Sequence, residues 1–343
     1  MADKTEAEGN GASAADTTTT HEDGLIDFPF KLEPLCLLLP HYADCSKVGY
    51  VLEGRAVVGV ILPGETKERA VLIKKGDVIA VPKETYTWWY NDGDTDFSII
   101  YLGDAAAGLT QGLITYFLVA GQAAVYNGLS TDFLAKACGV SQEAAAKLFS
   151  SQAGIQIIKP EKKLCVKTHD RDRHGIVLHE DSARFSNHVP CGGHVVSMTK
   201  DNLAALEGRF RFSINITKLE PNAMRVPGFF PAIQLVYVTR GSGQVQISGV
   251  NGATIMDKEV AAGCVFVVQK FYVMAAVAGS EGLEWFSIIT SERPIFHPVV
   301  GKTSPLSLTN ADVLEASLGV TSDLLKLVRA HGSSHDVIVA APK

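Results

Sequence analysis

Two stretches of the chain, 187 residues apart, carry the same order of glycines and short apolar runs. Residues 48–61 read VGYVLEGRAVVGVI and residues 235–248 read LVYVTRGSGQVQIS, which puts Gly54 and Gly241 in matching places. An internal repeat of this size is typical of two copies of one structural unit. With 343 residues, the chain is long enough for two domains of ordinary size, each with its own core.

A helix-like segment follows each copy. STDFLAKACGVSQEAAAKLF occupies residues 130–149 and TNADVLEASLGVTSDLLKLV occupies residues 309–328. Both begin with residues that cap helix N-termini, continue with apolar residues at helical spacing, and contain a glycine where a first helix would end. The repeated unit therefore includes a short helical arm.

The copies themselves are predicted to be β-structure. Short β-branched and aromatic runs, broken by Gly, Pro and Asp, fill residues 30–102, and a similar pattern runs from about 195 to 298. Many short strands at close spacing are typical of an antiparallel sandwich or barrel. The predicted fold class is all-β, with two tandem β-barrels that are each followed by a short α-helical arm.

Composition divides the chain into four predicted segments. They are a disordered acidic tail (1–24), the first barrel with its arm (25–158), a charge-rich linker (159–193) and the second barrel with its arm (194–343). The linker contains HDRDRHG at 169–175, which we interpret as a solvated charge cluster because arginines alternate with its acidic residues.

Bulk properties argue against several partners. The net charge is −6 without a basic stripe, so we expect no nucleic acid partner. No stretch approaches the roughly 20 apolar residues that cross a bilayer, so we expect no membrane partner. The N-terminal residues lack the apolar core of a signal peptide, which predicts a cytoplasmic location.

The six cysteines form no metal-binding spacing and are expected to be buried thiols.

The glycine pattern resembles that of the cupin superfamily, where a glycine precedes a Gly-Asp pair and a proline. Here these are Gly64, Gly76, Asp77 and Pro82. The duplication and the arms are similar to the legumin (11S seed storage globulin) branch of two-barrel cupins, especially in LLLPHYADCSKVGYVLEGRAVVGVILPG and KKGDVIAVPKETYTWWYNDGDT. The resemblance implies jelly-roll barrels, a nutrient-reservoir function, and a homotrimer in which each arm packs on a neighbouring subunit.

Two departures from the legumin pattern concern processing. True legumins enter the secretory route and carry an Asn-Gly cleavage site at the start of their second half. This chain reads Cys191, Gly192 and Gly193 there instead. The resemblance therefore does not extend to chain cleavage and vacuolar deposition.

Metal-using cupins, by the same resemblance, hold their ion with three histidines and one glutamate. In the first copy the glutamate position is Lys47, the third histidine position is Thr87, and the paired-histidine region offers His41 alone. In the second copy the corresponding positions are Gln234 and Met274, and the region reads PGFFP without histidine. These are not ligand sets for a divalent ion, so we expect no metal and no cofactor.

A barrel without a metal can still hold a small molecule. The candidate pocket residues all belong to the first copy, namely Lys47, His41, Thr87, Tyr50 and Trp88. A buried lysine and histidine could act as acid–base groups; alternatively, Lys47 lies at the barrel mouth with its ammonium group in water. Trp88 and Trp89 are adjacent in one predicted strand and must point to opposite faces.

Two hypotheses of function remain from the sequence. The first is a non-enzymatic legumin-like protein of the nutrient-reservoir type. The second is a metal-independent isomerase, cyclase or ligand-binding protein that uses the first barrel. They differ in whether Lys47 points into an enclosed cavity or into a filled barrel.

Overall fold

The computed structural model of the protein describes residues 30–103, 105, 108–208, 210–332 and 337–341. The predicted acidic tail, residues 1–24, lies outside the described residues. Within them the chain is mostly β-structure, arranged as two tandem barrels with helices after each, as the repeat predicted.

The first barrel is made of two antiparallel sheets. One has the order β1-β8-β3-β6-β11, and the other has the order β10-β2-β7-β4-β5 with β9 beside β2. Their bounds are β1 (Phe30–Leu32), β2 (Leu37–Ala43), β3 (Lys47–Glu53), β4 (Arg55–Ile61), β5 (Arg69–Lys74), β6 (Asp77–Val81), β7 (Tyr86–Tyr90), β8 (Phe97–Gly103), β9 (Tyr116–Leu118), β10 (Ile157–Ile158) and β11 (Val177–His179).

The second barrel repeats this arrangement within one continuous sheet, because two of its strands are long enough to belong to both layers. These strands, β16 and β19, pair along most of their length, with register shifts near Gly241. The bounds are β12 (Phe185–Val189), β13 (Gly193–Met198), β14 (Ser213–Leu219), β15 (Met224–Phe229), β16 (Gln234–Ser248), β17 (Thr254–Ala261), β18 (Val265–Val268), β19 (Val273–Ile289), β20 (His297–Pro298) and β21 (Ile338–Val339).

The repeated glycines occupy equivalent, sterically restricted turns. Gly54 has a φ of 71° and Gly241 a φ of 73°. A Cβ atom would lie 2.3 Å from the Asp96 carbonyl oxygen at the first position and 2.1 Å from the Gly282 carbonyl oxygen at the second. Only glycine tolerates both the left-handed backbone and this approach, so the sequence repeat reflects a repeated backbone geometry.

The predicted helical arms are present after both barrels. The first comprises α1 (Thr131–Cys138) and α2 (Gln142–Ser150), and the second comprises α3 (Pro305–Leu308), α4 (Ala311–Leu318) and α5 (Ser322–Gly332). Side chains of Ser130 and Asn310 accept hydrogen bonds at the starts of α1 and α4. Gly139 and Gly319 end these helices in the left-handed conformation, as the sequence signals predicted.

The segment predicted to be a linker, 159–193, contributes strands to both barrels. Its β11 pairs with β6 of the first barrel, and its β12 pairs with β13 of the second. The interpretation of HDRDRHG as a solvated cluster is wrong for Arg173, whose guanidinium Nη2 lies 2.7 Å from Oδ1 of the fully buried Asp77. A strand of three residues is too short to give a periodic sequence signal, which explains why β11 was missed.

Four apolar clusters form the core of the described residues. Two fill the interiors of the first and second barrels, the third lies between the barrels, and a small fourth groups Phe230, Ala232 and Ile289 in the second barrel. In the third, β3, β6 and β8 of the first barrel meet β13, β14 and β19 of the second. The barrels therefore share a buried interface, and residues on the two faces of β3 enter different clusters.

The cysteines depart from expectation. All six lie within the described residues and are thiols. Cys36 and Cys45 are buried as predicted, but the other four are exposed, namely Cys138, Cys165, Cys191 and Cys264. Cys191 lies at the turn between β12 and β13, and Cys264 at the turn before β18.

Candidate functional site

Strand alternation separates two of the candidate residues on β3. Lys47 faces the interior of the first barrel, whereas Tyr50, three positions later, faces the interface between the barrels. The Tyr50 ring stacks on Phe286 with centroids 5.1 Å apart, and its hydroxyl donates to Glu180 Oε2 at 2.8 Å. Tyr50 thus joins the two barrels and does not belong to a pocket with Lys47.

The same alternation sorts the residues of β7. Thr87 and Trp89 point inward and are buried, whereas Trp88 lies on the outer face over Gly59. The Trp88 indole N–H donates to Glu68 Oε1 at 2.5 Å. Trp88 is therefore a surface side chain, and Trp89 is the tryptophan that fills the barrel.

The structure brings His41, Lys47 and Thr87 together inside the first barrel. His41 Nδ1 lies 2.8 Å from the Leu39 carbonyl oxygen, so this nitrogen carries the proton and donates. His41 Nε2 then accepts from the Thr87 hydroxyl at 3.2 Å, and the Trp89 indole N–H donates to that hydroxyl oxygen, also at 3.2 Å. Both nitrogens of His41 are engaged, which leaves neither available to a substrate.

Electrostatics keep His41 neutral. Burial lowers its pKa to about 3, and the nearby positive charge of Lys47 contributes to the same shift. A histidine with so low a pKa is a weak base near neutral pH, because general bases work best with pKa values close to the operating pH. His41 is thus suited to a structural role in the hydrogen-bond chain.

Lys47 points into the barrel and not into water at its mouth. The residue is 2% exposed. Its Nζ lies 4.3 Å from the ring centroid of Tyr116 and 5.0 Å from that of Tyr101. Tyr101 in turn contacts Trp89 edge to face. Aromatic rings therefore occupy the space around the ammonium group and stabilise it through cation–π contacts.

The second barrel contains a cavity that the sequence analysis missed. Gln234 and Met274, the second-copy counterparts of Lys47 and Thr87, both line it. The volume of the cavity is about 20 Å³, which is enough for one or two groups of the size of a water molecule. Its full lining is Asn215, Thr217, Arg225, Gly228, Phe229, Phe230, Ala232, Gln234, Val268, Gln269, Tyr272, Met274, Trp285 and Phe296.

Cross-strand pairing explains why the two interiors differ. In the first barrel Leu38 pairs with Trp89 across β2 and β7. At the same places 187 residues later, Arg225 pairs with Ala276 across β15 and β19. The second copy thus has a small residue where the first has a tryptophan, and a charged residue where the first has a leucine. A repeat alignment of these four positions could have found the difference.

The described residues contain neither a cluster of metal ligands nor a membrane-spanning helix. Within residues 30–103, 105, 108–208, 210–332 and 337–341, no three His, Cys, Asp or Glu side chains are grouped as metal ligands. Over the same ranges, no helix has both the length and the apolar character that spanning a bilayer requires.

Two tandem jelly-roll barrels with replaced ligand positions define the class of this chain as a double-barrel, legumin-like protein. The chain belongs to the cupin family: the model of the family described as Cupin matches residues 24–146 and 182–324. The matched ranges include most of the strands of both barrels and most of both arms, and leave out β10, β11 and β21.

Storage proteins of seeds are among its relatives. Cocosin 1 of Cocos nucifera is 26% identical, with 87% of this chain and 77% of cocosin covered. Glutelin type-A 2 of Oryza sativa subsp. japonica is 24% identical, with 82% and 74% covered. The crystal structure of the coconut allergen cocosin superimposes with a TM-score of 0.84 at 29% identity, covering 92% of this chain and 90% of that one.

Proposed function

We propose that this chain is a non-enzymatic, legumin-like protein of the nutrient-reservoir type. The observation that carries the proposal is the likeness to cocosin and glutelin, which covers 87% and 82% of this chain. The side chains at the ligand positions support it: Lys47, Thr87, Gln234 and Met274 are neither imidazoles nor carboxylates, and the paired-histidine region offers His41 alone.

The alternative, acid–base catalysis or ligand binding in the first barrel, is not favoured. His41 uses both ring nitrogens in hydrogen bonds, and the Lys47 ammonium group lies against tyrosine rings. A general base needs a lone pair within reach of the substrate proton, and neither residue offers one in this arrangement.

The reservoir role is tested by abundance in the plant that makes this chain. Quantitative mass spectrometry of seeds during maturation and germination should show the protein accumulating late in maturation and falling as seedlings grow. A constant, low abundance through both stages would count against a reservoir and in favour of a ligand-binding or catalytic role.

A homotrimer held by the helical arms is the assembly that we propose. Both arms carry large apolar side chains that are more than one-third exposed in a single chain: Phe133, Leu148, Val313, Leu318, Leu324 and Leu327. Short helices gain most of their stability by packing an apolar face. An arm that packs on the next subunit would bury these side chains, and repeating that head-to-tail contact can close a ring.

Light scattering after size-exclusion chromatography tests the assembly. A trimer of the 36.7 kDa chain has a mass three times as large, about 110 kDa. Phe133→Asp, on the first arm, should dissociate it into monomers. The matched control is Val250→Asp, an exposed position at a second-barrel turn, which should remain a trimer. Equal masses for the two variants would argue against assembly through the arms.

We also propose a cytoplasmic location. Its support is that no disulfide joins the cysteines of the described residues, although four of the six are exposed, an arrangement that is usual for proteins of reducing compartments. Alkylation of intact tissue followed by mass spectrometry would reveal these cysteines as thiols in the cytoplasm, and as disulfides if the protein is stored in an oxidising compartment.

A further inference from the structure

Arg225 lies at the cavity of the second barrel without a counter-charge. Its residue exposure is 6%, and among the described residues no carboxylate pairs with its guanidinium group. The side chain lies over the Phe296 ring, with Cζ 4.2 Å from the centroid. A buried charge with no partner is costly, since the interior replaces the solvation that water would give.

Three polar atoms at the cavity lack hydrogen-bond partners. They are Nη1 of Arg225, Nε1 of Trp285 and Oδ1 of Asn215, which are all buried and have no partner among the described residues. All three side chains line the same cavity. Buried polar atoms are nearly always hydrogen-bonded, so three unpartnered atoms around one space indicate a binding site for a small polar ligand.

The charge of the cavity lining indicates the charge of the ligand that would bind there. Arg225 is the one charged side chain in the cavity lining, and no acidic residue is present there. Burial lowers the Arg225 pKa to about 9, so the group remains cationic at neutral pH. Water could satisfy hydrogen bonds, but it would leave this charge uncompensated.

The size of the occupant follows from the volume. The cavity volume of roughly 20 Å³ suits a halide ion or formate and is too small for an aromatic acid. The amide of Asn215 carries N–H groups as well as the oxygen, and a half-turn of the amide would present them to an anion. Arginine, indole and amide N–H groups would then all donate to the occupant.

We propose that the second barrel binds a small monovalent anion, of halide or formate size, between Arg225, Trp285 and Asn215. The anion compensates the charge of Arg225, whose counterpart in the first copy is the uncharged Leu38. The proposal is independent of the reservoir role, since a storage protein and an enzyme could equally bind a structural anion.

Anomalous diffraction from bromide gives a test that needs no variant. Crystals of the wild-type protein grown in sodium bromide should show an anomalous peak within hydrogen-bonding distance of the Arg225 guanidinium. Electron density for water only at that point, with bromide elsewhere on the surface, would overturn the proposal.

Thermal unfolding in solution gives the second test. At constant ionic strength balanced with gluconate, added chloride or formate should raise the melting temperature of the wild type in a saturable manner. Arg225→Met should weaken the apparent affinity about ten- to hundred-fold, because it removes a charge-assisted donor. Arg225→Lys should retain part of the response.

The matched control is Arg240→Met, which removes an exposed arginine of the same barrel and should respond like the wild type. An identical anion response in Arg225→Met and the wild type would overturn the proposal, because the effect would then come from the surface. If Arg225→Met does not fold, the lysine variant and the bromide crystals decide the question.

Discussion

The buried ion pair between Arg173 and Asp77 should contribute strongly to the stability of the first barrel. The guanidinium donates to both carboxylate oxygens, at 2.7 and 3.2 Å, and also to the Leu72 carbonyl oxygen. Asp77 accepts in addition from the backbone N–H of Lys74 at 2.8 Å. The Asp77 side chain is fully buried, and that of Arg173 is 23% exposed.

Removing the arginine alone should therefore leave an uncompensated carboxylate in the barrel. Breaking a buried pair in this way costs about 3–5 kcal/mol, and the partial exposure of Arg173 places the expected loss near the lower end, at about 3 kcal/mol. With a urea m-value of about 3 kcal/mol per molar, the unfolding midpoint should fall by about 1 M.

Equilibrium urea unfolding followed by tryptophan fluorescence measures this change for Arg173→Met. The matched control is Arg171→Met, two residues earlier, where an 83% exposed side chain contacts Asp172 only at 3.8 Å; its free energy of unfolding should change by less than about 0.5 kcal/mol. The double variant Asp77→Asn with Arg173→Met should regain part of the loss, since no charge is then buried. Equal midpoints for Arg173→Met and Arg171→Met would refute this reasoning.

Three further predictions follow from the glycine turns and the first-barrel cluster. Gly241→Ala should destabilise the protein more than Gly252→Ala in thermal unfolding, because both have positive φ but only at Gly241 would the new Cβ meet a carbonyl oxygen, at 2.1 Å; equal losses would leave the strained φ as the whole explanation. Folding lowers the pKa of His41 from 6.5 to about 3. Between these two pH values, the unfolded chain therefore binds a proton at His41 that the folded chain does not bind. Stability should accordingly fall by about 1.4 kcal/mol per pH unit as the pH drops below 6.5, and His41→Gln should flatten that part of the urea-unfolding profile. Lys47→Met should raise the His41 pKa by removing a repelling charge, which a histidine-selective NMR titration would detect, and an unchanged pKa would mean that burial alone sets it.

The sequence predicted the scaffold well because the scaffold depends on local signals. The glycines at 54 and 241 stand at turns where only glycine fits, and the caps at Ser130 and Asn310 mark helix starts that the structure confirms. Such residues act through their own backbone, so a single chain reveals them without knowledge of the neighbours. Because the chain is an internal repeat, each of these glycine and capping signals occurs twice and can be compared between the copies.

The candidate site depended on partners that the sequence does not place. Tyr50 could have been separated from Lys47 by strand parity alone, since three positions along a strand reverse the face. Arg173, by contrast, acts through Asp77, 96 residues earlier, and a linker composition gave no sign of that contact. Arg225 acquires its significance from Asn215 and Trp285, which line the same cavity, a grouping that becomes visible only when the fold is known.

Native mass spectrometry of the purified protein tests the central claim most directly, because it reports assembly and bound species together. A legumin-like reservoir protein with replaced metal ligands should appear as a complex three times the mass of the 36.7 kDa chain, without a stoichiometric transition metal. A 36.7 kDa monomer that retains one metal ion per chain would contradict both the assembly through the arms and the non-enzymatic function.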